Sequence, residues 1–294
     1  MERKKVGLVL SGGGQGGWIQ LGALQVLEKE KVPFDIIVGT SVGGLIGWGL
    51  ASGLSVKKLI KKSELIKEAD FKKLSYDNYS VFDPHAGFEK MKEIFGSKKI
   101  EDLQKKFAVV AVDMWTGEEV VIDKGSVADA VRATTCIPAV FPPVEIDGRL
   151  LVDGGVLNVL PVDVAYSMGA DITIAIDVSN FGKSVFNIRP KGVHPLTKRL
   201  IDTTKSPYLA ALAKRSYLFE SLFESVRIMG KRIRNEKLAR TPPTVLIEER
   251  FSPDFSSIVI DDPVIREKMM KMGRESARKA MKKIKAALAV EPVA

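Results

Sequence analysis

The chain is poor in the residues that build disulfide frameworks and metal centres. It carries one cysteine, Cys136, and two histidines, His85 and His194, in 294 residues. A lone cysteine excludes an internal disulfide and a cysteine-based zinc site, and two histidines leave a His-rich centre short of ligands, so no metal is expected. Long apolar runs are missing as well: none approaches the roughly 20 residues of a membrane-spanning helix. The N-terminus is basic and then apolar, but Val6 to Leu10 is too short for the core of a signal peptide and glycines follow at once. It reads as a first strand, and the protein as cytoplasmic. No stripe of bases interleaved with aromatics and no recognised nucleic-acid module is present, which argues against nucleic acid as a partner.

What is there is ordinary globular material, 45% apolar and 28% charged, which excludes a disordered chain. The length permits one large domain or two, and nothing in the pattern divides it, so a single domain over 1–294 is expected. The net charge of +9 is unevenly placed: between Val264 and Ala289 stand nine Lys or Arg against two Glu. That excess fits either an anionic surface as partner, with peripheral membrane contact, or a solvated helix face.

Strand-like and helix-like patterns alternate. VGLVL, FDIIVG, FAVVAVDM, EEVVID, DITIAIDV and PTVLIEE read as strands, and VEIDGRLLVDGG as a hairpin about Asp147-Gly148. Helical patterns follow the first two strands and recur over His85 to Phe95, Ser126 to Thr135, Pro161 to Met168, Tyr208 to Ala239 and 263–289. Residues 179–206 are rich in Gly, Pro and Asn and read as a mobile loop. Alternation of this kind predicts an α/β layered sheet.

Two glycine-rich turns carry the chemistry. Gly12 to Gly17 satisfies the G-x-G-x-x-G dinucleotide pattern, but the acid at the required distance, Asp35, opens the second strand instead of closing it. Gly39-Thr40-Ser41-Val42-Gly43 is G-x-S-x-G between a strand and a helix, the setting of a nucleophile elbow in which Gly39 and Gly43 permit the tight turn and Ser41 is presented at a helix N-terminus. Its plainer reading is a glycine-rich helix cap. A nucleophilic serine needs a base. His85 follows Pro84 at a helix start and His194 lies in the loop, and neither placement recommends it. Asp153, in Leu151-Val152-Asp153-Gly154-Gly155, is the competing candidate, with a simple turn as its plainer reading. Cys136 reads as a packed thiol. Trp18, Trp48 and Trp115 read as core packing before acyl-pocket lining.

The ordered set of G-G-G-x-x-G at Gly12 to Gly17, G-T-S-x-G at Gly39 to Gly43 and D-G-G at Asp153 to Gly155 resembles the patatin-like phospholipase family. Asp113 to Gly117, Ile137 to Pro143 and Asn158 to Pro161 resemble it too, and the likeness covers about residues 5 to 179. The resemblance implies a mostly parallel sheet with helices on both faces, and a lipid acyl hydrolase that uses no cofactor. Ser41 would be the nucleophile and Asp153 the base, with backbone N–H groups of Gly12, Gly13 and Gly14 as the oxyanion hole; the partner would be a lipid ester. One departure stands out: Gly16 occupies the position where the family carries Arg or Lys. The alternative is a non-catalytic nucleotide-binding or membrane-docking α/β module using the Gly12 to Gly17 loop.

Overall fold

In the computed structural model, the described residues are 3–71, 73, 75, 80, 82–180, 225–251 and 260–289. The parts of the 179–206 loop and of the helix expected from Tyr208 that fall within 181–224, His194 included, lie outside them. The strands are β1 (Val6–Leu10), β2 (Ile36–Thr40), β3 (Lys106–Asp113), β4 (Glu119–Ile122), β5 (Val144–Ile146), β6 (Arg149–Asp153), β7 (Ile172–Asp177) and β8 (Val245–Glu248). They form one sheet of order β5-β6-β3-β2-β1-β7-β8, with β4 on the other edge of β3. The β3-β2-β1-β7-β8 block is parallel, and β4, β5 and β6 are antiparallel additions. β1, β2 and β7 are buried along their whole length, which is why they read as unbroken aliphatic runs without alternation.

Helices cover both faces. One face carries α1 (Gly17–Lys29), α2 (Val42–Ala51), α3 (Val56–Ser63), α4 (His85–Phe95), α5 (Val127–Thr135) and, after β8, α8 (Pro263–Ala289). The other is covered by α6 (Val162–Ser167) and by Leu238 of α7, a helix over residues 225–240. Ser126 caps α5 by accepting the Asp129 N–H (3.3 Å), as a serine ahead of an apolar helical run should. α7 is anchored by Arg234 on Asp177 and Glu248, and by Lys237 on Glu119 (2.7 Å) and Asp163 (2.8 Å). No helix among the described residues is long and apolar enough to cross a membrane.

α1 and α8 touch backbone to backbone. A Cβ placed on Gly273 would stand 1.9 Å from the Ile19 carbonyl oxygen, and one on Gly22 2.0 Å from that of Met270. The contact turns the buried side of α8 to Arg266, Met269, Met270, Gly273, Ala277, Ala280 and Ile284. At 100° per residue the sequence puts Lys271, Arg274, Arg278, Lys282 and Lys285 on one face, opposite Met269, Gly273, Ser276, Ala280, Ile284 and Ala287; in the structure this basic stripe lies on the flank, roughly 120° from the buried face. Arg274 folds back onto Gln25 (3.0 Å) and Glu267, and Lys285 pairs with Glu30 (2.7 Å), so two of the five bases are engaged within the fold.

Candidate active site

The site arises where two strands meet end to end on a third. β2 runs beside β3 as far as the pair Thr40↔Val110, and the next β3 residue, Ala111, pairs with Asp153 at the end of β6. β4 occupies the other edge of β3 over the same rows, so β6 takes up the edge that β2 vacates. β2 and β6 run in opposite directions. Their C-terminal ends converge there, placing Ser41, just past β2, beside Asp153.

Ser41 stands at the N-terminus of α2 with φ 55° and ψ −126°, a backbone conformation that a non-glycine residue holds only where its surroundings impose it. The two glycines of the motif are required by close approach. A Cβ on Gly39 would lie 2.4 Å from the Gly43 carbonyl carbon, and one on Gly43 2.3 Å from the Leu10 carbonyl oxygen. The Ser41 N–H donates to the Thr134 hydroxyl (2.9 Å), which in turn donates to the Val110 carbonyl. Thr134 is a residue that sequence reasoning missed. It sits inside a helix more than ninety positions away, and no local pattern marks it.

Asp153 is buried and caps the short turn that follows it, accepting the Gly155 N–H at 2.7 Å. Its own N–H donates to the Cys136 carbonyl (2.9 Å). Burial pushes the Asp153 carboxyl up to about 6, against the pull of hydrogen bonds from the Ser41 side chain and the Gly155 N–H. The Ser41 hydroxyl thus lies close enough to the carboxyl to pull its pKa down. Burial also pushes the Cys136 thiol up to about 12, so this sulfur stays protonated, as a packed thiol should. His85 is exposed on the first turn of α4 and makes no hydrogen bond to either Ser41 or Asp153.

The first glycine loop lies against the serine: a Cβ on Gly12 would stand 3.3 Å from that of Ser41. One expectation needs correcting here. The Gly12 N–H already donates to the Val159 carbonyl (2.8 Å), so it is not a free oxyanion donor. The Gly13 and Gly14 N–H groups have no acceptor among the described residues. Gly13 has φ 148° and presses on Val178, whose carbonyl oxygen and Cγ2 would both be 2.9 Å from an added Cβ. Val178 is itself held by donation of its N–H to the Ser11 hydroxyl (2.8 Å). Asp35 takes no part: it accepts from the Val6 N–H (2.9 Å) and the Arg3 guanidinium at the opposite end of the sheet.

A family model described as Patatin-like phospholipase matches residues 8–166, more than half of the chain, with Gly12 to Gly17, Ser41, Thr134 and Asp153 inside the match. The chain belongs to the patatin-like phospholipase family. Human patatin-like phospholipase domain-containing protein 6 is 34% identical over 224 residues, covering 71% of this chain and 16% of that protein. An NTE family protein of Mycobacterium tuberculosis is 30% identical over 290 residues, covering 95% of this chain and 46% of its own length. This chain thus spans less than half the length of these relatives. Among solved structures, VipD from Legionella pneumophila superposes with a TM-score of 0.53 at 16% identity, over 97% of this chain and 67% of that one, a likeness of fold.

Family membership gives the departure at Gly16 a physical form. A Cβ there would meet Phe251 Cε1 and Val178 Cγ2, each at 2.8 Å. Two apolar side chains fill the space into which a longer side chain would start. No group of three or more His, Cys, Asp or Glu that could hold a metal occurs among the described residues.

Proposed function

We propose that the chain hydrolyses acyl esters of lipids, phospholipids or lysophospholipids, through a Ser41–Asp153 dyad. The observation that carries this reading is the placement of Ser41, at a strained strand-to-helix turn just past β2, beside a buried carboxylate at the end of β6 whose pKa is raised to about 6. A carboxylate of ordinary pKa, about 3.9, is a poor base for a hydroxyl. Burial brings Asp153 closer to the working pH while leaving it ionised at neutrality, which favours general-base catalysis.

In the first step Ser41 Oγ attacks the ester carbonyl carbon as its proton passes to Asp153. The oxyanion is received by the Gly13 and Gly14 N–H groups, each such donor being worth about 10²–10³ in rate in related chemistry. The intermediate collapses, the C–O bond breaks, and the leaving alcohol takes the proton from Asp153. Water then attacks the acyl-enzyme, giving its proton to Asp153. The carboxylic acid leaves and Ser41 recovers its proton.

The test is turnover of phospholipids, lysophospholipids and soluble p-nitrophenyl esters by the parent chain and by Ser41→Ala. Turnover by the parent and its loss in a folded alanine variant support the reading. Near-normal turnover by the variant, or no ester cleavage together with tight nucleotide binding, contradicts it.

A further inference from the structure

β3 does not stop at the row of Asp153. It runs on to Asp113 and turns through Met114 to Gly117 into β4, beyond the end of β2. Because β3 is parallel to β2, this turn projects from the same end of the sheet as Ser41. Its backbone is well tied. The Trp115 N–H donates to Asp113 Oδ1 (2.8 Å), the Gly117 N–H to the Asp113 carbonyl (2.9 Å), the Asp113 N–H to the Glu118 carbonyl (3.0 Å), and the Met114 N–H to Leu150 on the neighbouring hairpin (2.8 Å).

This ordered turn holds two large apolar side chains in water. Trp115 is 78% exposed and Met114 54%, whereas Trp18 and Trp48 are 7% and 1% exposed. Core packing, the expectation for all three tryptophans, therefore fails for Trp115. Two more exposed apolar residues stand near the turn that follows Asp153. Ile228 and Met229 immediately precede Gly230 of α7, where an added Cβ would lie 3.5 Å from the carbonyl of Gly155, two residues past Asp153. Charges at the turn and the adjoining hairpin tip are mainly acidic, Asp113, Glu118 and Asp147 standing against Arg149, so no basic patch lies there.

We infer that the Met114–Trp115 turn is an anchor for the surface of aggregated lipid, inserting its two side chains and presenting the Ser41 site to that surface. Tryptophan is the side chain best suited to the boundary between headgroup and acyl chain, with an apolar body and one N–H donor. Mildly acidic surroundings without a basic patch fit a zwitterionic surface and not an anionic one, so the attachment rests on the apolar side chains and depends little on salt. The role rests on the lipid hydrolase reading, because a water-soluble substrate would give such an anchor nothing to hold.

The experiment uses the whole chain with phosphatidylcholine vesicles, with and without brominated acyl chains, at low and at moderate salt. Trp18 and Trp48 are buried, so quenching by bromine reports Trp115. The expected result is quenching and a blue shift at both salt concentrations. Trp115→Ala should weaken vesicle binding about tenfold or more, the scale for truncating a buried aromatic side chain. It should cut hydrolysis of vesicular substrate in step and leave turnover of a soluble short ester unchanged. Equal vesicle binding by parent and variant would overturn the inference, as would a concentration-dependent dimer abolished by Trp115→Ala with vesicle binding untouched. Failure of soluble ester turnover in the parent is a separate matter: it counts against the hydrolase, while the quenching still decides the anchor.

Discussion

If Asp153 is the base proposed above, it is the residue at which stability and activity conflict. Its pKa is raised on folding from an ordinary carboxylate value to about 6. The folded state then binds the proton more tightly than the unfolded state between about pH 4 and pH 6. Stability therefore falls as pH rises through that window, and the cost is fully present above it, on the order of 3 kcal/mol. Asp153→Asn should lose most ester turnover yet unfold at higher urea than the parent at about pH 8, the gain shrinking toward pH 4. Paired urea titrations at the two pH values check this, and a variant less stable at both would mean that burial is not what raises the carboxyl. At Gly13, alanine should lower kcat more than it raises KM, because φ 148° and the Val178 contact would shift the loop whose N–H groups we propose as the oxyanion donors. Unchanged kcat in a folded Gly13→Ala chain would place the donors elsewhere. Ser41 and Asp153 were legible in the sequence as candidates because each sits in a glycine-rich turn, and the structure brings the two turns together. Thr134 and the commitment of the Gly12 N–H to Val159 were not, because both are hydrogen bonds between residues far apart in the chain.

At the scale of elements, α8 shows what periodicity can and cannot supply. Its extent, 263–289, was legible from the absence of breakers after Pro263. Its rotation was not. The inward side is made largely of Gly, Ala and Met, small or pliable residues that mark a face weakly, and the backbone contact at Gly22 and Gly273 sets the angle. Gly273→Ala should therefore cost about 3 kcal/mol, the upper range for overpacking, because the obstacle is the Ile19 carbonyl and not a mobile side chain. A thermal melt within a degree of the parent would show that the two helices can part at little cost. Among the described residues, the flank bases with no ion pair are Lys271, Arg278 and Lys282. Changing these three to Glu should weaken binding to anionic vesicles at low salt and leave soluble ester turnover intact. Cosedimentation that matches the parent at low salt would reduce the stripe to a solvated helix face.

For the molecule as a whole, α/β layering followed from alternating patterns, and the hairpin at Asp147-Gly148 was marked by its turn residues. The strand order was not legible. Nothing local announces that β6, more than a hundred residues after β2, continues along the same edge of β3, and that placement brings serine and aspartate together. The same topology puts the Trp115 turn and Ser41 at one end of the sheet. The pairing of Lys285 with Glu30, at the far end of α1, places the C-terminal part of α8 toward the other end. The two candidate lipid contacts therefore address different sides of the molecule, one salt-insensitive and one salt-dependent. The most direct test of the central claim is the rate of covalent labelling by a fluorophosphonate as a function of pH, with the adduct mapped by mass spectrometry. The account predicts one adduct, on Ser41, forming at a rate that rises through about pH 6 and levels off above it, and nearly absent in Asp153→Asn. An adduct on another residue, or labelling of Asp153→Asn at the parent's rate, would contradict it.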